Sequence, residues 1–71
     1  MISIGNPIGP FNTRTVVVDG TQWGLIQLIR KGQYKVKCDR MIWTCPHSGV
    51  SHNVKLCRTL EEAKSIIDVS A

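Results

Sequence analysis

The spacing of apolar residues changes along the chain, and each change marks an element. Residues 13–18 are rich in Thr and Val and predict a strand. Asp19-Gly20 accepts the positive φ angles of a tight hairpin turn. A two-residue loop there sets Val18 opposite Thr21 and Val16 opposite Trp23. Residues 22–29 predict the second strand, and Arg30-Lys31-Gly32-Gln33 the next turn, with Gly32 supplying the unusual backbone angle. Residues 34–38 alternate: Tyr34, Val36 and Cys38 point one way, Lys35 and Lys37 the other. After Asp39-Arg40 the phase shifts, and Met41, Trp43 and Cys45 become the apolar set. Such a shift predicts a bulge near Asp39-Arg40 or a break between two short strands. Pro46-His47-Ser48-Gly49 predicts a third turn. Residues 50–57 predict a last strand, with Val50, Val54 and Leu56 on one face, His52 in phase with them, and Ser51 and Lys55 on the other.

The period then becomes helical. Thr59-Leu60-Glu61-Glu62 matches a capping box, in which Thr59 accepts from an amide three residues on and Glu62 reaches back. Both glutamates also favour the positive end of a helix dipole. Leu60, Ala63, Ile66 and Ile67 form one apolar stripe on a helix that runs to about Val69. The first residues read differently. Gly5, Asn6, Pro7, Gly9, Pro10 and Asn12 predict an irregular arm over residues 1–12, whose apolar Ile2, Ile4, Ile8 and Phe11 can fold back or meet a partner. The expected fold is therefore α+β. A single domain over residues 13–71 forms an antiparallel meander of about four strands, with one C-terminal helix packed on one face.

Length sets the scale of what such a fold can do. A chain of 71 residues buries only about 60% of its unfolded surface, and it leaves no room for two lobes with a cleft between them. That excludes most enzyme architectures. No apolar run is long enough to span a membrane, and the start has neither the basic region nor the apolar stretch of a signal peptide. The expected location is the cytoplasm. Nine basic residues against five acidic ones give a net charge of +4. That excludes an acidic nucleic-acid mimic and suits nucleic acid or an acidic protein surface as partner.

Cys38, Cys45 and Cys57 make an odd count, which fits reduced thiols in a reducing compartment better than a disulfide scaffold. In an uninterrupted register Cys38 falls opposite Cys57. Cys45, His47, His52 and Cys57 are the residues that could hold zinc, but the close Cys pair of structural zinc sites is missing. With the turn at residues 46–49, Trp43 pairs with His52, and Cys45 is a diagonal neighbour of His52. No metal and no cofactor are expected. A nucleophilic pair of Cys45 with His47 or His52 would need an orienting group and an oxyanion pocket, which the sequence does not supply. No catalytic residues are expected.

Arg30, Lys31, Lys35, Lys37 and Arg40 gather five of the nine basic residues into one stretch. Lys35 and Lys37 share a strand face and could follow a phosphate backbone. Residues 25–29 are apolar on both faces, with Leu25 and Ile29 on one and Ile26 and Leu28 on the other. The helix covers only one face, so the second is left to the arm or to a partner. An edge strand could also pair with a second copy of the chain to give a homodimer.

The meander ending in Thr59-Leu60-Glu61-Glu62-Ala63-Lys64, over residues 13–69, resembles small phage-encoded accessory proteins, anti-CRISPR proteins among them. The resemblance implies an inhibitor or modulator acting in a host cytoplasm on a larger protein or ribonucleoprotein complex. The expectation is thus a small non-enzymatic binding protein. Its contacts are Arg30, Lys31, Lys35, Lys37, Arg40 and His47, because turns project from the sheet. The first alternative is a small basic nucleic-acid-binding protein, and the second a zinc-stabilised domain.

Overall fold

The computed structural model describes residues 1–70; Ala71, the last residue of the expected domain, lies outside the described residues. The fold is α+β: a five-stranded antiparallel sheet with one C-terminal helix across one face. The elements are β1 (Ile2–Ile4), β2 (Arg14–Val18), β3 (Thr21–Arg30), β4 (Gln33–Cys38), β5 (Trp43–Thr44), β6 (Ser51–His52), β7 (Val54–Cys57) and α1 (Leu60–Ser70). The main sheet runs β1-β2-β3-β4-β7, and β5 and β6 form a separate small hairpin.

Three expectations of connectivity are corrected. The first lies in the arm, where β1 pairs with β2 through Ile2↔Val18 and Ile4↔Val16. Ile2 and Ile4 pack against the core, and this burial outweighs the turn-forming residues that follow them. The second concerns the strands after β4. The chain breaks at Asp39-Arg40, one of the two outcomes expected there, and Trp43↔His52 pairs as expected but in the small hairpin and not in the main sheet. The expected last strand is also interrupted, at Asn53. Asn53 Nδ2 donates to the Cys38 carbonyl (3.2 Å) and the Cys38 amide donates to the Asn53 carbonyl (3.0 Å). The third correction follows from this break. β4 is aligned with β7 so that Tyr34, not Cys38, faces Cys57. All three cysteines are free.

The β2–β3 turn has φ of 50° at Asp19 and 83° at Gly20, and Val18 pairs with Thr21. Val16, however, pairs with Gly24, because Trp23 is the extra residue of a bulge. A second irregularity leaves Ile29 unpaired between Leu28↔Tyr34 and Arg30↔Gln33. The first bulge contributes to packing, since Trp23 joins the buried core with Val16, Ile26, Val36, Cys38, Cys57, Ala63 and Ile67.

The helix packs against β1, β4 and β7. Its stripe is as expected: Ala63 and Ile67 are fully buried, and Leu60 and Ile66 pack at the margin. The Glu62 amide donates to Thr59 Oγ1 at 3.1 Å. Glu62 Oε2 reaches back one residue beyond the cap and accepts from the Arg58 amide at 3.3 Å.

Candidate functional site

The face away from the helix follows from the register. Ser3 pairs with Val17, Val17 with Gln22, Thr15 with Leu25, Leu25 with Lys37, Gln27 with Lys35, Lys37 with Val54 and Lys35 with Leu56. Side chains opposite one another share a face, so these residues make one surface. Lys35 and Lys37 stand two residues apart on the interior strand β4, about 7 Å at strand rise. Gln27 lies beside Lys35 and donates through Nε2 to Thr13 Oγ1 at 3.3 Å. Its paired positions hold no carboxylate, but Asp39, just past the end of β4, lines a pocket with Gln22, Leu25 and Lys37. Asp19 and Asp39 sit at strand ends, and Glu61, Glu62 and Asp68 are on the helix. The fold thus sorts charge by face: lysine on the open sheet, and three of the five carboxylates on the element covering the other side.

The basic residues singled out from sequence do not form one patch. Lys35 and Lys37 are central. Arg30 and Lys31 occupy the β3–β4 turn at one end, where Arg30 Nε donates to Gln33 Oε1 at 2.7 Å. Arg40 follows β4 at the opposite end, beside Val18, Thr21 and Trp23. His47 is exposed at the tip of the small hairpin, away from the lysines in sequence and sheet. Of the four apolar arm residues expected to fold back or meet a partner, Ile2 and Ile4 fold back on the core, and Ile8 and Phe11 stay exposed in the loop after β1.

The open face is less apolar than the alternation at residues 25–29 predicts. Val17, Leu25 and Val54 are half-buried, and Leu56 is the exposed large apolar residue among the paired positions. The helix side holds the converse surprise. Lys55 pairs with Val36 and so points to the core side, where its Nζ lies 4.8 Å from the Trp43 ring centroid. Trp43 also stacks on His52, with centroids 4.8 Å apart, and donates through Nε1 to the Val54 carbonyl at 2.6 Å. These contacts tie the small hairpin to β7. They also give His52 a packing role.

The four residues considered for zinc are separated. Cys57 is buried at the end of β7, His52 stacks on Trp43, and Cys45 and His47 belong to the hairpin turn. Among the described residues, no three His, Cys, Asp or Glu side chains gather where a metal ion could sit. The thiols differ in acidity. Hydrogen bonding from the Ser48 side chain, then from the Ser48 and His47 backbone, lowers the Cys45 pKa. Burial, then the charge of Glu62, raises that of Cys57. Among the described residues, no helix is long and apolar enough to cross a membrane. Comparison with protein-family models, with curated proteins and with solved structures finds no match in any of the three.

Proposed function

We propose that the chain is a small non-enzymatic module that binds nucleic acid through the open face of its sheet. The observation that carries this reading is the sorting of charge. Lys35 and Lys37 stand on a surface whose paired positions hold no carboxylate, with Asp39 at its border near Lys37 and with amide and hydroxyl side chains of Gln22, Gln27 and Thr15 on the same face. A polyanion gains from such a surface through released counterions, and side-chain amides can add hydrogen bonds to phosphate, sugar or base edges. Arg30 and Lys31 extend the positive charge past one end of the strands.

A second reading is an inhibitor or modulator that docks on a larger protein or ribonucleoprotein complex. Exposed Leu56 beside Lys35 favours it, since apolar contact next to basic side chains suits a protein interface. Salt separates the two. Binding to a short DNA or RNA probe is expected to weaken steeply with salt, and changing Lys35 and Lys37 together to Gln should reduce the slope of log K against log salt by about two. Weak binding to every probe, with no change in slope, would reject the nucleic-acid reading and leave the docking reading.

A further inference from the structure

The loop after β1 is ordered in a way that core packing does not explain. Residues 5–12 are all exposed, Ile8 at 72% and Phe11 at 60%. Yet five backbone hydrogen bonds hold the segment: the Gly5 amide donates to the Thr15 carbonyl at 2.9 Å, Ile8 and Thr13 exchange two at 2.9 Å, the Asn12 amide donates to the Gly9 carbonyl at 3.2 Å, and the Leu28 amide donates to the Phe11 carbonyl at 2.9 Å. Gly9 and Asn12 take positive φ, 78° and 48°, to close the turn. Asn is among the few side chains that enter this region readily. The backbone that carries an exposed aromatic is therefore held, while the side chain contributes little to the core.

Its surroundings indicate what it meets. The bond to Leu28 sets the Phe11 backbone beside the C-terminal end of β3, and the residues that follow Leu28 are Ile29, Arg30 and Lys31. Ile29 is unpaired and 45% exposed. Asp19 and Asp39 are at the other end of the sheet, and Glu61 and Glu62 are on the helix side. An exposed aromatic on a hydrogen-bonded backbone, joined to a strand that runs on into Arg30 and Lys31, has the chemistry of a base-stacking group. Proteins that bend duplexes insert such side chains between base steps, and single-strand binders stack bases on them.

We propose that Phe11 is an apolar wedge that enters the base stack of a nucleic acid whose backbone lies along Lys35 and Lys37. This inference rests on the nucleic-acid reading of the open face. The chemistry shared by a duplex step and a single strand is the flat face of a nucleobase, so both are tested.

The experiment titrates the full chain into DNA carrying a fluorescent base analogue, as duplex and as single strand, across a salt series. The unmodified protein should bind with a steep salt slope and change the fluorescence of the analogue. Phe11→Ala should weaken binding on the order of tenfold or more, abolish the fluorescence change and leave the salt slope as it was. Phe11→Trp should restore both affinity and fluorescence. Circular dichroism of both variants should match the unmodified chain, because Phe11 is outside the core. Loss confined to the duplex assigns the wedge to a base step, and loss confined to the single strand assigns it to an unpaired base. If Phe11→Ala binds as tightly as the unmodified protein with the same fluorescence change, the wedge is rejected while the basic face stands. If the unmodified protein shows no salt-sensitive binding to either probe, the reading beneath it fails. Phe11 would then be an anchor for a protein surface instead.

Discussion

Gly24 and Lys37 lie so close across the β3–β4 ladder that a Cβ on Gly24 would overlap the Lys37 carbonyl oxygen and stand 3.1 Å from the Cys38 Cα. The obstacle is backbone, which cannot rotate aside as a side chain would. Gly24 is also followed by Leu25, whose partner is Lys37 itself. The close approach therefore helps set the position of a lysine on the open face.

Gly24→Ala should force the two strands apart. Overpacking of this kind costs about 1–3 kcal/mol, with more where only backbone can yield. Urea denaturation should show a lower midpoint with an unchanged slope. Stability equal to the unmodified chain would mean that β3 and β4 are not this close in solution.

The helix gives a graded pair of losses. Ile67 is fully buried, so Ile67→Ala removes core contacts and should cost about 2–5 kcal/mol. Thr59→Ala removes the acceptor of one helix amide and should cost about 1 kcal/mol. Equal and negligible losses in a denaturation series would show that the helix does not pack on the sheet.

Periodicity made the helix and the three central strands legible. The stripe of Ala63, Ile66 and Ile67 and the alternation of Tyr34, Val36 and Cys38 each have a single solution that buries apolar surface. The edges were less legible, because their pairings depend on contacts distant in sequence. Ile2 and Ile4 look like part of an irregular arm until β2 is present to receive them. The break at Asn53 is legible only once its side chain reaches the Cys38 carbonyl. The candidate face was half visible. Alternation put Lys35 and Lys37 together, but nothing local said that the paired positions of the whole face would hold no carboxylate, with Asp39 only at its border. That is a property of the topology: Asp19 and Asp39 fall in turns, and the remaining three follow β7 onto the helix.

The two tryptophans should respond in opposite senses to loss of their N–H group. Trp23 is 3% exposed, and its Nε1 is buried without a hydrogen-bond partner. Trp43 is half-buried, and its Nε1 makes a short bond to the Val54 carbonyl. A buried donor left unpaired costs about 1–3 kcal/mol, whereas a hydrogen bond that is made contributes about 1 kcal/mol. Trp23→Phe therefore offsets part of its packing loss, and Trp43→Phe adds the loss of a bond to its own. Trp43→Phe should destabilise more relative to the apolar area it removes, although Trp23 is the deeper residue. Hydrogen exchange should also show the β5–β6 hairpin opening more readily in Trp43→Phe alone. Similar losses per unit of area, with no local opening, would remove the Trp43 bond as the tie between hairpin and sheet.

The cysteines separate by position and acidity, which gives a reactivity and a pH test. Cys45 lies in the hairpin turn with its pKa lowered by Ser48, so its thiolate is the most available of the three. Under native conditions iodoacetamide should modify Cys45 first, and Cys38 and Cys57, both buried, only as the chain opens. The pH effect belongs to Cys57. Burial, and then Glu62, disfavour its thiolate in the folded state, so the folded pKa lies above the unfolded one. Between the two values the folded chain holds a proton that the unfolded chain has released, and stability falls as pH rises. The contribution is complete below the ordinary thiol range, about 8.5, and is lost as pH rises through that value to the raised one. Other groups titrate in the same window, so the measurement is a difference. Melting of the unmodified chain and of Cys57→Ala is followed from neutral to alkaline pH, and the gap between them should narrow as pH rises. A gap that stays constant would mean that Cys57 ionises as easily in the folded chain as in the unfolded one, and that neither its burial nor Glu62 acts on it as the packing at the end of β7 requires.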